Sequence, residues 1–366
     1  MLKKIRTNPM ILAVARVDLF VYSCGWLMVL LVLGTLAQPK MGLYQSQVIY
    51  FSSWFFELGG FPLPGARLVL SIMFFNLLAF MLKHKWNLKK SGIFLAHSGA
   101  LLLLLGGFIT AHFSQEGSMI IEEGQSSNYV ADYHRLEFVM LLDGKEFRFS
   151  QGLLKQGFIL KHPKIPYEMV VQNFYENCLA KNTPEEARLV KSPYVLEGLE
   201  RLAKESENRT GLVLDIQDKN GKVLARYHLW EEEEKLQKFE KFELTLRKER
   251  RYLPFSLELL DFRMETHPGT QMASAYQSEV NLVKDQQKRR ILIEMNQPMR
   301  EGKYTFFQSS YYSPGHGKPD VTILAVVENY GRLFPYISSL IMCLGLCIHL
   351  LIFLPAQLLK TQGGSK

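Results

Sequence analysis

The sequence predicts an integral membrane protein with four transmembrane α-helices and a large extracytoplasmic β-rich domain, antiparallel and sandwich-like, between helices three and four. Two observations predict this class: four long apolar runs in a chain of 366 residues, and strand-like alternation between the third run and the fourth. The distribution of charge is a third observation. Residues 113–332 hold 31 Lys and Arg against 33 Asp and Glu, so the net charge of +8 arises from the flanks of the apolar runs. The basic balance therefore indicates membrane topology and not nucleic-acid binding.

The four apolar runs are candidate spanning helices, because a span needs about 20 mostly apolar residues. They lie at about 17–36, 66–82, 92–112 and 333–355. The second run is the shortest, so we expect a short or tilted helix there. The predicted divisions of the chain are an N-terminal membrane region at 1–112, the β-rich domain at 113–332, and a last helix with a short tail at 333–366.

Basic residues at the ends of the runs predict the orientation. In a four-span arrangement, ten of them fall on one side: Lys3, Lys4, Arg6, Arg16, Lys83, Lys85, Lys89, Lys90, Lys360 and Lys366. The positive-inside rule makes that side cytoplasmic. Both termini are therefore predicted to be cytoplasmic, and residues 113–332 extracytoplasmic.

An aromatic stretch follows the first run. Residues 43–62 are rich in Tyr, Trp and Phe but are interrupted by Gln, Ser and Glu57, which is typical of a segment lying at the depth of lipid headgroups. Pro62, Pro64 and Gly65 then turn the chain into the second run. The segment serves either as an aromatic anchor or as an aromatic wall beside a flat cofactor.

Strand patterns dominate residues 113–332. Alternating stretches flank Asp143-Gly144 and Asn220-Gly221, and such dipeptides favour two-residue hairpin turns. Further β-like segments continue to the start of the fourth run, which favours an antiparallel sandwich or a curved sheet. Residues 183–206 instead have helical propensity, with Thr183 as the N-cap, Pro184 in the first turn and a break at Pro193.

Several function classes are excluded by missing motifs. The sequence has no CxxCH, so the chain is not itself a c-type cytochrome, and no CxxC, so it is not a thiol oxidoreductase. Cys178 is the only cysteine of the β-rich domain, which therefore has no internal disulfide. The sequence also lacks a Walker A loop, HExxH and GxSxG. The apolar runs lack carboxylates near their centres, which argues against an ion-coupled transporter.

His97 is the principal candidate site residue. It lies inside the third apolar run, about two turns from its lysine-rich end. An ionisable group inside a span is costly unless it meets a partner, a cavity or a metal, and a neutral imidazole is a common axial ligand of haem iron. The residues alone leave two interpretations open: a haem ligand, or a histidine hydrogen-bonded to a neighbouring helix. His349, in the fourth run, is interpreted as structural.

Several stretches resemble the ResB (CcsB) proteins of system II cytochrome c biogenesis. They are LGTLAQ, YFSSWFF with PLPGARLVLSIMFFNLLAF, HSGALLLLLGGFITAHFSQEGSMIIEEGQS, SEVNL, IEMNQPMREGKYTFFQSSYY and VENYGRLFPYISSLIMCLG. Together they cover about a third of the chain, in the order expected of the family. Residues 150–255 carry no recognisable part of the resemblance.

The resemblance implies a multi-pass protein of the bacterial inner membrane and a subunit of the system II cytochrome c synthetase. It implies a ResC (CcsA) partner, haem export, covalent haem attachment to apocytochrome c, and a thioredoxin-like reductant of the thiols. His97 matches the family's histidine in the third span, which implies an axial ligand to haem b shared with a histidine of the partner. His112, fifteen residues later, is a candidate for the haem path, or simply an interfacial histidine. Any enzymatic activity then belongs to the complex.

Two other functions stay open at this point. One is a haem b electron-transfer subunit, which needs pairs of intramembrane histidines able to ligate haem within one chain. The other is a membrane-tethered scaffold that holds outer partners and binds no haem.

Overall fold

The computed structural model describes residues 8–84, 87–184, 188–231, 233, 235–269, 273–315 and 319–363, except the side chains of 273 and 355–363. The chain divides into two compact units. One combines Met1–Ser114 with Asn329–Lys366 and is helical, and the other is Gln115–Glu328 and is built of strands.

The first unit contains five α-helices within the described residues. They are α1 (Pro9–Val14), α2 (Val17–Ser46), α3 (Ala66–Lys83), α4 (Ser91–Phe113) and α5 (Phe334–Gly363). Helices α2 to α5 are long and apolar enough to cross a membrane. The predicted set of four apolar helices is thereby confirmed. Their orientation stays a prediction, and Lys3, Lys4, Arg6, Lys85 and Lys366 lie outside the described residues.

The first long helix continues well beyond residue 36, where the apolar run was predicted to end. It includes Pro39, bends at Gly42 with φ of 83°, and passes into a π-helical turn at Gln47–Phe51. The hairpin of β1 (Phe55–Leu58) and β2 (Phe61–Pro64) follows. Apolar side chains of this segment pack with α2 and α3, in a core that includes Leu30, Tyr50, Phe56, Val69 and Met73. Packing of the aromatic segment against the helices therefore extends the ordered structure to α3.

Helices α4 and α5 pack through glycines. Gly92, Gly99 and Gly106 are the buried residues of α4, and they recur every seven residues along one face. A Cβ at Gly92 would lie 2.3 Å from the backbone nitrogen of His349, and one at Gly99 would lie 2.8 Å from the carbonyl oxygen of Ser338. Small residues thus allow the two backbones to come into contact, as in helix pairs of membrane proteins.

Sixteen named strands form the second unit. They are β3 (Gln115–Glu122), β4 (Ser126–Leu142), β5 (Lys145–Ser150), β6 (Ile159–Leu160), β7 (Glu168–Tyr175), β8 (Cys178–Asn182), β9 (Tyr194–Gly198), β10 (Gly211–Gln217), β11 (Val223–Trp230), β12 (Gln237–Phe239), β13 (Phe242–Thr266), β14 (Ala273–Lys284), β15 (Gln287–Glu294), β16 (Met299–Glu301), β17 (Tyr304–Tyr312) and β18 (Val321–Glu328). The large antiparallel β-rich domain is therefore as predicted. Both predicted hairpins are present, with Leu142 opposite Lys145 in one and Gln217 opposite Val223 in the other.

Two sheets enclose the first of two cores. The large sheet has the order β15-β14-β13-β4-β3-β18-β17-β16, with β5 paired to β4 and β12 to β13, and the smaller sheet has the order β11-β10-β7-β6. Phe138 and Phe242 of the large sheet pack with Met169, Leu212 and Leu214 of the smaller one. This part of the unit is the sandwich that the alternating pattern predicted.

The second core lies where the large sheet curves. Leu257 of β13 packs there with Val280, Phe306 and Leu324, and all four are fully buried. Ser278 of β14 bonds to the side chain of Gln308 of β17 at 2.7 Å, so strands at opposite ends of the sheet order come together. The 25-residue strand β13 contributes to both cores, and its register shifts between Tyr252 and Leu257.

The helix predicted at 183–206 is wrong for the described part of that segment, since residues 185–187 lie outside it. The structure has strand β9, paired with β8, and a short 3-10 turn at Glu205–Glu207. Thr183 is not an N-cap; its hydroxyl donates to the carbonyl of Ser192 at 2.8 Å. Leu196 is buried against Cys178 and Val213. Burial of Leu196 against the neighbouring strands outweighs the helical propensity.

Candidate functional site

His97 lies on the second turn of α4 and is held by its own helix. The Nδ1 atom lies 2.7 Å from the carbonyl oxygen of Ile93, one turn earlier. Because a carbonyl only accepts, Nδ1 carries the proton and donates it. The Nε2 atom then keeps its lone pair, which is the arrangement in which histidine binds a metal.

A cavity of about 350 Å³ lies beside His97 within the helical unit. It is formed by the start of α2, the middle of α3 and the first half of α4. The lining residues are Arg16, Val17, Phe20, Asn76, Leu77, Phe80, Ala96, His97 and Ala100. Six of these nine side chains are apolar, with polar groups only at Arg16, Asn76 and His97, which is typical of sites that bind a largely apolar small molecule.

Two neighbours position the polar groups of the cavity. The ring of Phe80 stacks on the imidazole of His97. The amide nitrogen of Asn76, which is buried, donates to the carbonyl oxygens of Val14 at 2.6 Å and Arg16 at 2.8 Å. Asn76 thereby ties the end of α1 and the start of α2 to α3. Asn76 was not among the residues predicted for the site, although a lone amide inside an apolar run is a recognisable signal of an interhelical hydrogen bond.

Arg16 brings a positive charge to the cavity. Its Nε donates to Asp18 Oδ1 at 3.0 Å, and its Nη2 also bonds to the Asp18 carboxylate. In the sequence, Arg16 indicates only the orientation of the helices. Its position beside His97 depends on the packing of α2 against α3, which the linear pattern does not reveal.

The other two histidines considered from the sequence lie elsewhere in the helical unit. His112 is exposed at the end of α4, with Nδ1 bonded to the carbonyl of Phe108 at 3.1 Å, and does not line the cavity. His349 stacks on Phe353 of its own helix, with centroids 5.3 Å apart. The structure therefore does not bring His97, His112 and His349 together, and the part assigned to His112 stays a prediction.

The donor set suits haem better than a bare metal ion. Among the described residues, no cluster of three or more His, Cys, Asp or Glu side chains could hold a metal. A single imidazole cannot retain an ion alone, but haem iron already has four ligands from the porphyrin and needs only axial ones. One imidazole in an apolar cavity fits that requirement on one side of the ring.

The thiol of the β-rich unit is unreactive. All four cysteines are free, and Cys178 is buried beside Leu196 and Gly211. Burial raises the pKa of the Cys178 thiol to about 11, so the thiol stays protonated at neutral pH. Cys178 is therefore a packing residue and not a nucleophile.

A second cavity, of about 440 Å³, lies on the β-rich unit and is polar. Its lining includes Glu137, Glu146, Arg148, His162 and Glu249. Two of these carboxylates are held by one guanidinium. Arg247 bonds to Glu137 at 2.9 Å and to Glu146 at 2.7 Å, and its hydrogen bonds lower the pKa of Glu146. One guanidinium thus fixes two carboxylates in the wall of this cavity.

Comparison with known proteins supports the resemblance seen in the sequence. Residues 231–325 match the family model described as the ResB-like family. This region includes β13 and most residues of the second core. Protein NrfI of Wolinella succinogenes is 28% identical over 295 residues, which are 77% of this chain and 30% of that protein. The chain thus spans about a third of the length of this curated relative. These matches confirm the resemblance of the chain to the ResB-like family, whose model it matches over 231–325.

Proposed function

We propose that this chain is a membrane subunit of a system II cytochrome c biogenesis complex, working with a ResC (CcsA) partner. In that complex it assists haem export and the covalent attachment of haem to apocytochrome c. The observation that carries this proposal is the cavity beside His97, in which an imidazole with a free Nε2 faces apolar side chains. The family match and the similarity to Protein NrfI support the same role.

His97 supplies one axial ligand to haem b in this proposal. Hydrogen bonding to Ile93 fixes the tautomer, and the stacked ring of Phe80 fixes the plane of the imidazole. His97 lies six residues from the start of α4, about 9 Å along the helix. In the predicted orientation, this is a depth at which haem is received from the inner leaflet. A histidine of the partner supplies the second axial ligand.

The apolar side chains that line the cavity protect the bound haem from water in this proposal. Val17, Phe20 and Leu77 exclude water from the face of the bound ring. Haem itself supplies the iron and the porphyrin edge that becomes attached to the cysteine thiols of the apocytochrome. His97 and a histidine of the partner would together hold the haem, and this ligation would hinder its reaction with oxygen in transit.

The β-rich unit holds the apocytochrome in this proposal and performs no catalysis itself. Its one thiol is buried and protonated, so reduction of the apocytochrome thiols belongs to a separate thioredoxin-like protein. Any enzymatic activity is therefore that of the complex, in which this chain binds haem and positions the apocytochrome.

Optical spectroscopy tests the proposal. The chain is purified alone and together with a ResC-type partner, and the reduced haem b spectrum and the yield of mature cytochrome c are measured. We expect stable haem b only with the partner. Haem b bound by the chain alone would favour an electron-transfer subunit. The absence of haem from both preparations would favour a scaffold.

A further inference from the structure

Arg16 is the one charged residue among the described residues that line the cavity beside His97. It is the N-cap of α2, whereas His97 lies on α4. The two side chains thus reach one cavity from different helices. A ligand that meets both is held at two separate points, so its orientation is fixed as well as its position.

The guanidinium of Arg16 keeps hydrogen-bonding capacity. A guanidinium has five N–H donors, and within the described residues Asp18 takes one from Nε and one from Nη2. The remaining donors include the whole Nη1 group. The Arg16 side chain is 67% exposed, so a ligand can reach these donors.

One guanidinium that binds two carboxylates already occurs in this protein. Arg247 bonds to Glu137 through Nε and to Glu146 through Nη1 and Nη2. In Arg16, Asp18 takes Nε and Nη2, which leaves the Nη1 side of the guanidinium for another carboxylate. A second carboxylate, from a ligand, would complete the arrangement seen at Arg247.

We propose that Arg16 selects a ligand that carries an ionised carboxylate on a planar apolar body. The carboxylate binds the Nη1 side of Arg16, and the apolar body lies against Phe20, Leu77 and Phe80. This inference rests on the proposed function and deepens it, because haem belongs to this class through its propionates. Arg16 is then a specificity-determining residue, and it directs the carboxylate edge of the ligand away from His97.

A metal-free porphyrin tests this inference separately from iron ligation. The complex of this chain with a ResC-type partner, in lipid nanodiscs, is titrated with protoporphyrin IX and with its dimethyl ester. Fluorescence is followed, and empty nanodiscs correct for partition into lipid. The two probes share the porphyrin ring, but in the ester both carboxyl groups are methylated and carry no charge. We expect the free acid to bind roughly tenfold more tightly than the ester, since charge-assisted hydrogen bonds are the strong ones.

Variants test whether the preference for the free acid over the ester arises from Arg16. Arg16→Gln should reduce the preference to about twofold or less, and Arg16→Lys should keep part of it, because the charge remains but the planar donors are lost. Arg67→Gln is the matched control. It removes one positive charge from the first turn of α3, outside the cavity lining, and should leave the preference unchanged.

Each result supports or overturns the inference. Equal binding of acid and ester by the wild type would overturn it without any variant, and so would the absence of saturable binding. A preference that survives Arg16→Gln, or that is lost equally in Arg67→Gln, would also overturn it. Failure of the haem-ligand role has a different signature, namely an unchanged haem spectrum in His97→Ala, and leaves the metal-free result intact.

Discussion

The imidazole of His97 stacks on the phenyl ring of Phe80, with ring centroids 5.5 Å apart and ring planes inclined by 21°. Phe80 belongs to α3 and His97 to α4, so the contact joins two long apolar helices at the cavity. Together with the bond from Nδ1 to Ile93, it restrains rotation of the ring. His97 therefore presents Nε2 in one orientation, which is what an axial ligand requires.

Phe80→Ala should weaken haem binding without abolishing it. Loss of an aromatic contact costs about 0.5–1.5 kcal/mol, so haem should dissociate from the complex roughly two- to tenfold more readily. Haem transfer to apomyoglobin measures this. Phe75→Ala, at an exposed position of the same helix, is the control. Equal haem retention in both variants would show that the stacking does not matter.

Asn76→Ala should loosen the first turn of α2 and all of α1. The variant removes two hydrogen bonds and leaves the carbonyls of Val14 and Arg16 unpaired, at a cost of about 1–3 kcal/mol each where they are buried. We expect faster proteolysis between residues 8 and 18. Ser71→Ala is the control, since the Ser71 hydroxyl bonds only to Arg67 of its own helix. Identical cleavage rates in the two variants would contradict this account.

Gly92→Leu should disrupt the packing of α4 against α5. The new side chain would meet the backbone of His349 and Gly345, and overpacking typically costs about 1–3 kcal/mol. The midpoint of thermal unfolding in detergent should fall. Gly107→Leu lies on the same helix, where a Cβ meets nothing within 4 Å, and should leave the midpoint unchanged. If Gly107→Leu were the more harmful variant, the assigned helix interface would be wrong.

His228 should make the β8–β9 hairpin sensitive to acid. Burial, followed by the charge of Arg226, lowers the pKa of His228 to about 4. Its Nδ1 accepts a hydrogen bond from the backbone N–H of Leu196 at 3.0 Å, which requires the neutral ring. The ordinary pKa of histidine is about 6.5, so the unfolded state binds the proton first as the pH falls. The stabilisation is complete above about pH 6.5 and is lost as the pH falls towards 4, by about 3 kcal/mol in total.

Hydrogen exchange at the Leu196 amide measures this effect in the full chain. The free energy of opening should fall between pH 6.5 and 4.5. His228→Asn provides an acceptor that does not titrate, so its opening free energy should depend less on pH. Equal pH dependence in the wild type and His228→Asn would rule out His228 as the source.

Local patterns predicted much of the fold. The long apolar runs predicted four helices, and Asp143-Gly144 and Asn220-Gly221 predicted two hairpin turns, since each feature depends on neighbouring residues alone. The 25-residue strand β13 was less evident, because Pro254 interrupts its pattern. Its continuity comes from pairing with β4, which lies far away in sequence, and with the next strand, β14.

The wrong helix at 183–206 and the incomplete site have a common cause. Helical propensity describes each residue in isolation. The position of Leu196 depends instead on the hydrogen bond from its backbone N–H to His228 and on burial against Cys178. The candidate site shows the same limitation. His97 was found because a histidine in an apolar run is conspicuous, but Asn76 and Arg16 join it only through packing between helices. The seven-residue spacing of Gly92, Gly99 and Gly106 was visible in the sequence and would have predicted the α4 face that contacts α5.

The optical spectrum of haem b in the purified complex with a ResC-type partner, recorded for His97→Ala, tests the central claim most directly. The account predicts loss of the haem b spectrum, loss of cytochrome c maturation, and partial recovery of both when imidazole fills the vacated ligand position. His349→Ala, which removes a histidine outside the cavity, should retain the wild-type spectrum. An unchanged haem spectrum with normal cytochrome c maturation in His97→Ala would contradict the claim and leave His97 as a hydrogen-bonded histidine of a membrane helix.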